Sequence, residues 1–185
     1  FLRPFQGAGM TVKVLISLRA QGTFLASLYA EKARYMKRPS QPDFDNKVES
    51  LLETSDIFCN WYELVSANAA VVGWENVCIL LFEDPPETTV EEIARFVEWP
   101  LVLPSDVTSE NARRTHEGAW RLNSDRPAAQ LGPMRFVRWL LQRGLGQDLT
   151  VQLNDSLSAK VLNHFRYSND LLAERLGRNL AELGY

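Results

Sequence analysis

Two short apolar runs, each followed by a stretch with helical periodicity, constrain the fold of this chain more than any other feature. The first run, Val12 to Leu18, is rich in β-branched residues, which is typical of a strand covered on both faces. From about Gln21 the apolar residues recur at helical spacing. The second run, residues 77–82, also precedes a helical stretch. Because strand and helix alternate twice, the sequence predicts an α/β fold with a parallel sheet flanked by helices.

Prolines and small polar residues indicate where the helices begin. Residues 39–42 contain two prolines and predict a loop, after which Asp45 or Asn46 is expected to cap a helix. The helix after the second strand also follows two prolines. Thr88 or Thr89 is the expected cap of that helix.

The length of 185 residues suits one domain, and we expect residues 1–185 to form it. Residues 100–152 are rich in arginines and turn residues, and they predict a long loop with one short amphipathic helix. Loops of that length are uncommon unless they bind something. A final helix is predicted for residues 157–176, with Gly177 after it.

Composition excludes several classes of protein. A net charge of −3 argues against a nucleic-acid binder, which usually carries a basic surplus. Cys59 and Cys78 provide neither a disulfide framework nor a metal set, so we expect a reducing compartment and a cytoplasmic protein. No apolar run approaches the roughly 20 residues that span a bilayer, and we expect no membrane association. A membrane-surface helix around Trp139 is the alternative.

Three segments, in order along the chain, carry a family resemblance. LISLRAQGTFLASLY is a strand that ends in arginine, with a serine eight residues later. ENVCILLFEDPPETTVEEIARFVEW combines a strand, an acidic turn and a helix, and SLSAKVLNHFRYSNDLLAERLGRNLAELGY is a helix with a Gly-Tyr tail. Together they resemble the sulfotransferases that use 3′-phosphoadenosine-5′-phosphosulfate (PAPS), especially the bacterial carbohydrate-type members. The resemblance implies a P-loop-NTPase-like parallel sheet of the sulfotransferase type.

The resemblance also implies a site for the 3′-phosphate of PAPS. Arg19 stands at the carboxyl end of the first strand, the edge at which open α/β sheets bind ligands. Its guanidinium fork and the Ser27 hydroxyl on the next helix would both donate to the phosphate. The alternative is that Arg19 is an ordinary surface residue and Ser27 a small residue at a helix contact.

A second basic segment, RRTHEGAWR, resembles the loop that closes over the nucleotide in cytosolic sulfotransferases. In that loop the first basic pair contacts the 3′-phosphate, which implies the same role for Arg113 and Arg114. Thr115 replaces a glycine of the family pattern, and glycine lets a backbone amide approach a phosphate closely. The alternative is a solvated arginine-rich loop.

One expected part of the family pattern is missing. The phosphosulfate loop, P-K-x-G-T-T-like, should precede the first strand, but residues 1–11 contain no lysine and no Gly-Thr-Thr. We therefore expect a chain that is incomplete at its N-terminus or has lost the chemistry. A small-molecule kinase, the second enzymatic candidate, needs a G-x-x-x-x-G-K-[ST] loop, and the sequence has none.

The resemblance implies an enzyme that moves a sulfuryl group from PAPS to a hydroxyl or amine of a carbohydrate or small molecule. PAPS is then the co-substrate, and no metal is required. His116 and His164 have no visible partner of the kind that a catalytic base needs, so no base is assigned. The alternative function is a non-catalytic nucleotide-binding or protein-interaction module on the same scaffold. The sequence leaves open whether the chain forms a homo-oligomer.

Overall fold

The computed structural model describes residues 9–54, 58–101, 118–122 and 150–185. The chain divides into two compact units. The first unit contains Phe1–Gln21, Asp56–Ser109 and Val161–Tyr185, and the second contains Gly22–Ser55 and Glu110–Lys160. The expectation of one domain over residues 1–185 stays a prediction.

The described residues form four β-strands and five α-helices. In chain order they are β1 (Val14–Leu18), α1 (Gln21–Lys32), α2 (Gln41–Glu53), α3 (Trp61–Val72), β2 (Val77–Leu81), α4 (Pro86–Val97), β3 (Trp120–Arg121), β4 (Thr150–Val151) and α5 (Asp155–Leu176). Short 3₁₀ turns occupy Ala33–Tyr35, Trp74–Asn76 and Ala181–Leu183. None of the described helices combines the length and the apolar character that a bilayer crossing requires.

The first unit is built on a parallel pair of strands. β1 pairs with β2 from Val14 opposite Val77 to Leu18 opposite Leu81, which confirms the predicted parallel sheet. The α/β class is therefore correct, with a small sheet and mostly helical structure in the described residues. The finer expectation of a P-loop-NTPase-like sulfotransferase sheet stays a prediction.

The burial of β1 differs from the prediction. Leu15 is 46% exposed, whereas Leu18 is only 2% exposed. The apolar run is therefore fully covered only at its carboxyl end, where Leu18 lies beside buried Leu81. α3 packs near the same strands and buries Trp61 and Val65.

The start of α2 corrects the predicted cap. The helix begins at Gln41, and the Ser40 side chain accepts a hydrogen bond from the Asp43 backbone N–H at 3.3 Å. Pro42 lies in the first turn, where a missing N–H leaves no helical bond unmade. Asp45 is inside the helix, so neither Asp45 nor Asn46 is the cap.

The start of α4 corrects a second cap for the same reason. Pro85 occupies the cap position and Pro86 the first helical position, so Thr88 and Thr89 are already in the helix. The Thr89 N–H and hydroxyl both donate to the Pro85 carbonyl, at 3.1 and 3.3 Å. In both helices a proline that was expected before the helix belongs to its first turn, Pro42 in α2 and Pro86 in α4.

The second unit has its own buried side chains. The Tyr29 and Phe44 rings lie 5.2 Å apart between centroids and are both buried, which joins α1 to α2. Trp120 pairs antiparallel with Val151, and both are buried. Most of the predicted excursion at residues 100–152, including the helix around Trp139, lies outside the described residues.

Candidate functional site

The carboxyl ends of the two parallel strands meet at one edge of the first unit. Leu18 and Leu81 are register partners, and the Phe82 N–H donates to the Leu18 carbonyl at 2.8 Å. The chain therefore leaves both strands at the same level. Arg19 and Phe82 are the first residues beyond the strands and lie side by side.

The Arg19 guanidinium lies over the ring of its neighbour Phe82. Its central carbon is 3.4 Å from the centroid of the Phe82 ring, and the ring is 62% exposed. A guanidinium stacks by its face while its N–H donors point outward in its plane. Phe82 therefore restricts the orientation of the Arg19 donors at the edge of the sheet.

The backbone around Arg19 is held by two side chains from other elements. The Trp61 indole N–H donates to the Arg19 carbonyl at 2.9 Å, and a Glu83 carboxylate oxygen accepts from the Ala20 N–H at 2.9 Å. Backbone groups that leave a sheet lose their ladder partners and need others when they are partly buried. These two bonds supply them, and they fix the turn that presents Arg19.

A buried pair of side-chain amides fixes Gln21, the residue that follows Ala20. Gln21 and Asn169 are 1% and 5% exposed, and their side chains exchange two hydrogen bonds, at 2.7 and 3.2 Å. Gln21 also donates to the Cys59 carbonyl at 3.3 Å. A buried amide destabilises the folded state unless it is hydrogen-bonded. The contact between Gln21 and Asn169 satisfies both amides and holds the start of α1 against α5.

Glu83 has a second donor, which comes from the end of the sequence. The Tyr185 hydroxyl donates to the other Glu83 oxygen at 2.9 Å, and Tyr185 is only 6% exposed. Burial, followed by the nearby Glu83 charge, raises the pKa of Tyr185 well above its ordinary value. The phenol therefore stays protonated and keeps donating at neutral pH.

Asp84 makes a forked ion pair with Arg178. Two guanidinium nitrogens donate to the two carboxylate oxygens at 2.7 and 2.6 Å, and the Asp84 side chain is only 6% exposed. The hydrogen bond to Asp84 raises the pKa of Arg178. Such bidentate pairs are among the stronger polar contacts in proteins. The tail after α5 is thereby attached directly to the turn after β2.

Cationic and anionic side chains lie together at this edge. Arg19 and Arg178 are opposed by Glu83 and Asp84, and the Tyr185 phenol is neutral. Carboxylates next to cations weaken the long-range attraction of such an edge for anions. Any recognition of a phosphate here therefore depends on the directed donors of Arg19 rather than on a general positive field.

The structure places the remaining predicted site residues in different ways. Ser27 lies in the second turn of α1 as expected and is half-buried, and its role stays a prediction. Arg113 and Arg114 lie outside the described residues, as does His116. His164 is an exposed residue of α5 whose ring lies edge-on to Phe165 at 4.8 Å, consistent with a helix-surface role.

The end of the RRTHEGAWR segment is described. Gly118 has a φ of +83°, a conformation that side-chain-bearing residues rarely adopt, so glycine is strongly favoured there. Trp120 follows in β3 with 9% exposure. The glycine and tryptophan of this segment thus have structural roles of their own in the second unit, while the role of its arginines stays a prediction.

Sequence reasoning missed several residues that build this edge. Glu83 and Asp84 were part of the resemblance but were given no role, although an acidic pair directly after a strand indicated polar contacts at its carboxyl end. Arg178, Tyr185 and Asn169 had no local signal, because their partners lie 94, 102 and 148 residues away along the chain.

The described residues contain no group of three or more metal-ligating side chains. Neither Cys59 nor Cys78 is part of a disulfide, and burial raises the pKa of Cys78, with Glu92 adding to the shift. The Cys78 thiol is therefore not activated as a nucleophile. Comparisons with known proteins found no matching family model, curated protein or solved structure.

Proposed function

We propose that this chain binds the 3′-phosphate of PAPS at the Arg19 edge and belongs to an enzyme that transfers the sulfuryl group. One observation supports the proposal above the others. Arg19 stands at the carboxyl end of a parallel strand with its backbone fixed on both sides and its guanidinium stacked on Phe82. A preorganised guanidinium can bind a phosphate with little further loss of side-chain entropy.

The proposed role of Arg19 is to orient the donor. A bidentate contact with the 3′-phosphate, far from the sulfuryl group, would hold the nucleotide in one position. In the transfer, the bond from sulfur to the 5′-phosphate oxygen breaks as a bond to the acceptor oxygen or nitrogen forms. The acceptor proton is released, and 3′-phosphoadenosine-5′-phosphate (PAP) leaves. Because Arg19 acts on a remote group, its loss should affect donor affinity most directly.

The acceptor is proposed to be a carbohydrate or another small molecule that carries a hydroxyl or an amine. No residue is assigned as the base that takes the acceptor proton. The alternative function is a module that binds the nucleotide or a protein partner without transfer. PAP binding combined with no transfer to any acceptor by the full-length protein would support that alternative.

Calorimetric titration of the chain with PAP and with 5′-AMP, which lacks the 3′-phosphate, tests the nucleotide site. We expect PAP to bind more tightly than 5′-AMP. Arg19→Ala should weaken PAP binding by roughly 10- to 100-fold, the equivalent of one charge-assisted bidentate contact, and should barely change 5′-AMP binding.

Two further variants make the test specific. Arg19→Lys keeps the positive charge but loses the forked pair of donors. Its affinity for PAP should lie between that of the native chain and that of Arg19→Ala. Arg95→Ala removes an exposed arginine from α4 and should change PAP affinity by less than about twofold. Equal losses for Arg19→Ala and Arg95→Ala, or equal binding of PAP and 5′-AMP, would refute a 3′-phosphate site at Arg19.

A further inference from the structure

A cleft in the second unit has no role in the proposed nucleotide site. Its volume is about 540 Å³, and five residues line it: Met36, Lys37, Arg38, Asp43 and Lys47. Ligand pockets of proteins commonly measure about 300 to 1,000 Å³, so the cleft has room for a ligand of one or a few sugar rings.

The chain builds this cleft around the connection between α1 and α2. The 3₁₀ turn Ala33–Tyr35 ends where Met36 becomes extended, and Lys37 and Arg38 follow on the connection. Asp43 and Lys47 lie one turn apart on α2. A basic dipeptide on a loop and a lysine on a helix therefore line the same opening.

The negative charge of Asp43, the one carboxylate that lines the cleft, is already paired with a cation. The Lys47 ammonium donates to Asp43 Oδ2 at 2.6 Å, and the Tyr29 hydroxyl donates to the same oxygen at 2.7 Å. The Lys47 hydrogen bond, followed by that of Tyr29, lowers the pKa of Asp43, which keeps it ionised at neutral pH. Three cationic side chains thus face one carboxylate, and its charge is matched by Lys47.

Lys37 and Arg38 provide the surplus positive charge. Both are exposed, and within the described ranges neither makes an ion pair or a side-chain hydrogen bond. Two neighbouring cations at the mouth of a cleft favour a ligand with more than one negative group. Four of the five residues that line the cleft carry a charge.

We propose that this cleft binds an acidic oligosaccharide, with Lys37 and Arg38 contacting carboxylate or sulfate groups on adjacent sugar rings. Tyr35, which immediately precedes the cleft residues, is 74% exposed, and the Arg34 guanidinium lies over its ring, 4.7 Å from the ring centroid. The chain has a net charge of −3, which disfavours a long polyanion such as a nucleic acid and favours a short ligand that fits the local patch. This proposal does not depend on nucleotide binding.

Titration of the isotope-labelled chain with trigalacturonate, followed by amide NMR at low salt and without nucleotide, tests the proposal. We expect the shifted amides to cluster at residues 36–38 and 43–47, and we expect maltotriose, a neutral trisaccharide, to leave them unchanged. A Lys37→Ala, Arg38→Ala double variant should bind trigalacturonate about tenfold more weakly, as expected for two exposed charge contacts.

The matched control removes two cations elsewhere. An Arg95→Ala, Arg166→Ala double variant, which removes two exposed arginines from α4 and α5, has the same net charge as the cleft variant, and its affinity should change by less than about twofold. Equal losses in the two double variants would show a general charge effect and overturn the site. Tighter binding of a short thymidine oligonucleotide, or equal shifts with inorganic sulfate alone, would overturn the saccharide assignment.

Discussion

The ion pair between Asp84 and Arg178 gives the sharpest prediction for the stability of the first unit. Removing one partner of a buried pair commonly costs about 3 to 5 kcal/mol, because the other charge remains buried without compensation. The Asp84 side chain is 6% exposed, but that of Arg178 is 37% exposed, so water reaches part of the site. We therefore expect Arg178→Ala to lower the free energy of unfolding by about 2 kcal/mol, after discounting for this exposure.

Urea unfolding of the full chain, combined with a double-mutant cycle, measures this effect. Asp84→Asn removes the buried charge, so the Asp84→Asn, Arg178→Ala double variant should be more stable than Arg178→Ala alone by about 1 kcal/mol. Arg95→Ala, an exposed arginine on α4, serves as the control and should change stability by less than about 0.5 kcal/mol. A loss below about 0.5 kcal/mol for Arg178→Ala would refute the reasoning that Asp84 depends on its partner.

Three other predictions concern single contacts. Burial, followed by the hydrogen bond to Asp43, raises the pKa of Tyr29 to about 12. The protonated phenol therefore stabilises the folded state fully below pH 10, and this stabilisation is lost as pH rises from 10 through about 12. The stability difference between the native chain and Tyr29→Phe should shrink over that range in urea unfolding. Asn169→Ala leaves buried Gln21 without its amide partner and should cost about 1 to 3 kcal/mol. Ser40→Ala removes the cap of α2 and should cost about 1 kcal/mol.

Each of these predictions has a contradicting result. If the stability difference between the native chain and Tyr29→Phe stayed constant between about pH 9 and about pH 11, burial would not raise the pKa of the Tyr29 phenol above that of the unfolded chain. An Asn169→Ala variant as stable as the native chain would show that water replaces the amide pair. Ser40→Gly should cost only a few tenths of a kcal/mol, so equal losses for alanine and glycine would argue against a capping role.

The strands and their common edge could be predicted because their signals are local. The apolar run ending at Leu18 and the run ending at Leu81 each contain the information for a strand, and two helix crossovers favour a parallel pair. The position of Arg19 at the carboxyl end followed directly from the end of the first run. A family pattern then suggested a ligand for that position, and this ligand remains a proposal.

The helix starts were predicted less well because proline is common both in loops and in the first turn of helices. Pro42 was assigned to a loop and Pro86 was expected before its helix, yet each lies in the first turn of a helix, where proline fits well. Ser40 was the better cap for α2, since a serine two residues before a proline leaves the proline in that first turn.

The groups that support Arg19 could not be predicted from local patterns. Trp61 follows Arg19 by 42 residues, and Tyr185 follows Glu83 by 102. Either aromatic residue could equally have packed elsewhere in the core, because no local period specifies a hydrogen-bond partner at such distances. The cleft at Lys37 and Arg38 was also missed, since two adjacent basic residues on a loop are usually only solvated.

A crystal structure of the chain soaked with PAP tests the central claim most directly. We predict that the 3′-phosphate lies at the carboxyl ends of β1 and β2, with two of its oxygens about 2.7 to 2.9 Å from two guanidinium nitrogens of Arg19. Phe82 should keep its stacked position beneath the guanidinium. A nucleotide bound elsewhere, with no phosphate oxygen in contact with Arg19, would contradict the assignment of this edge.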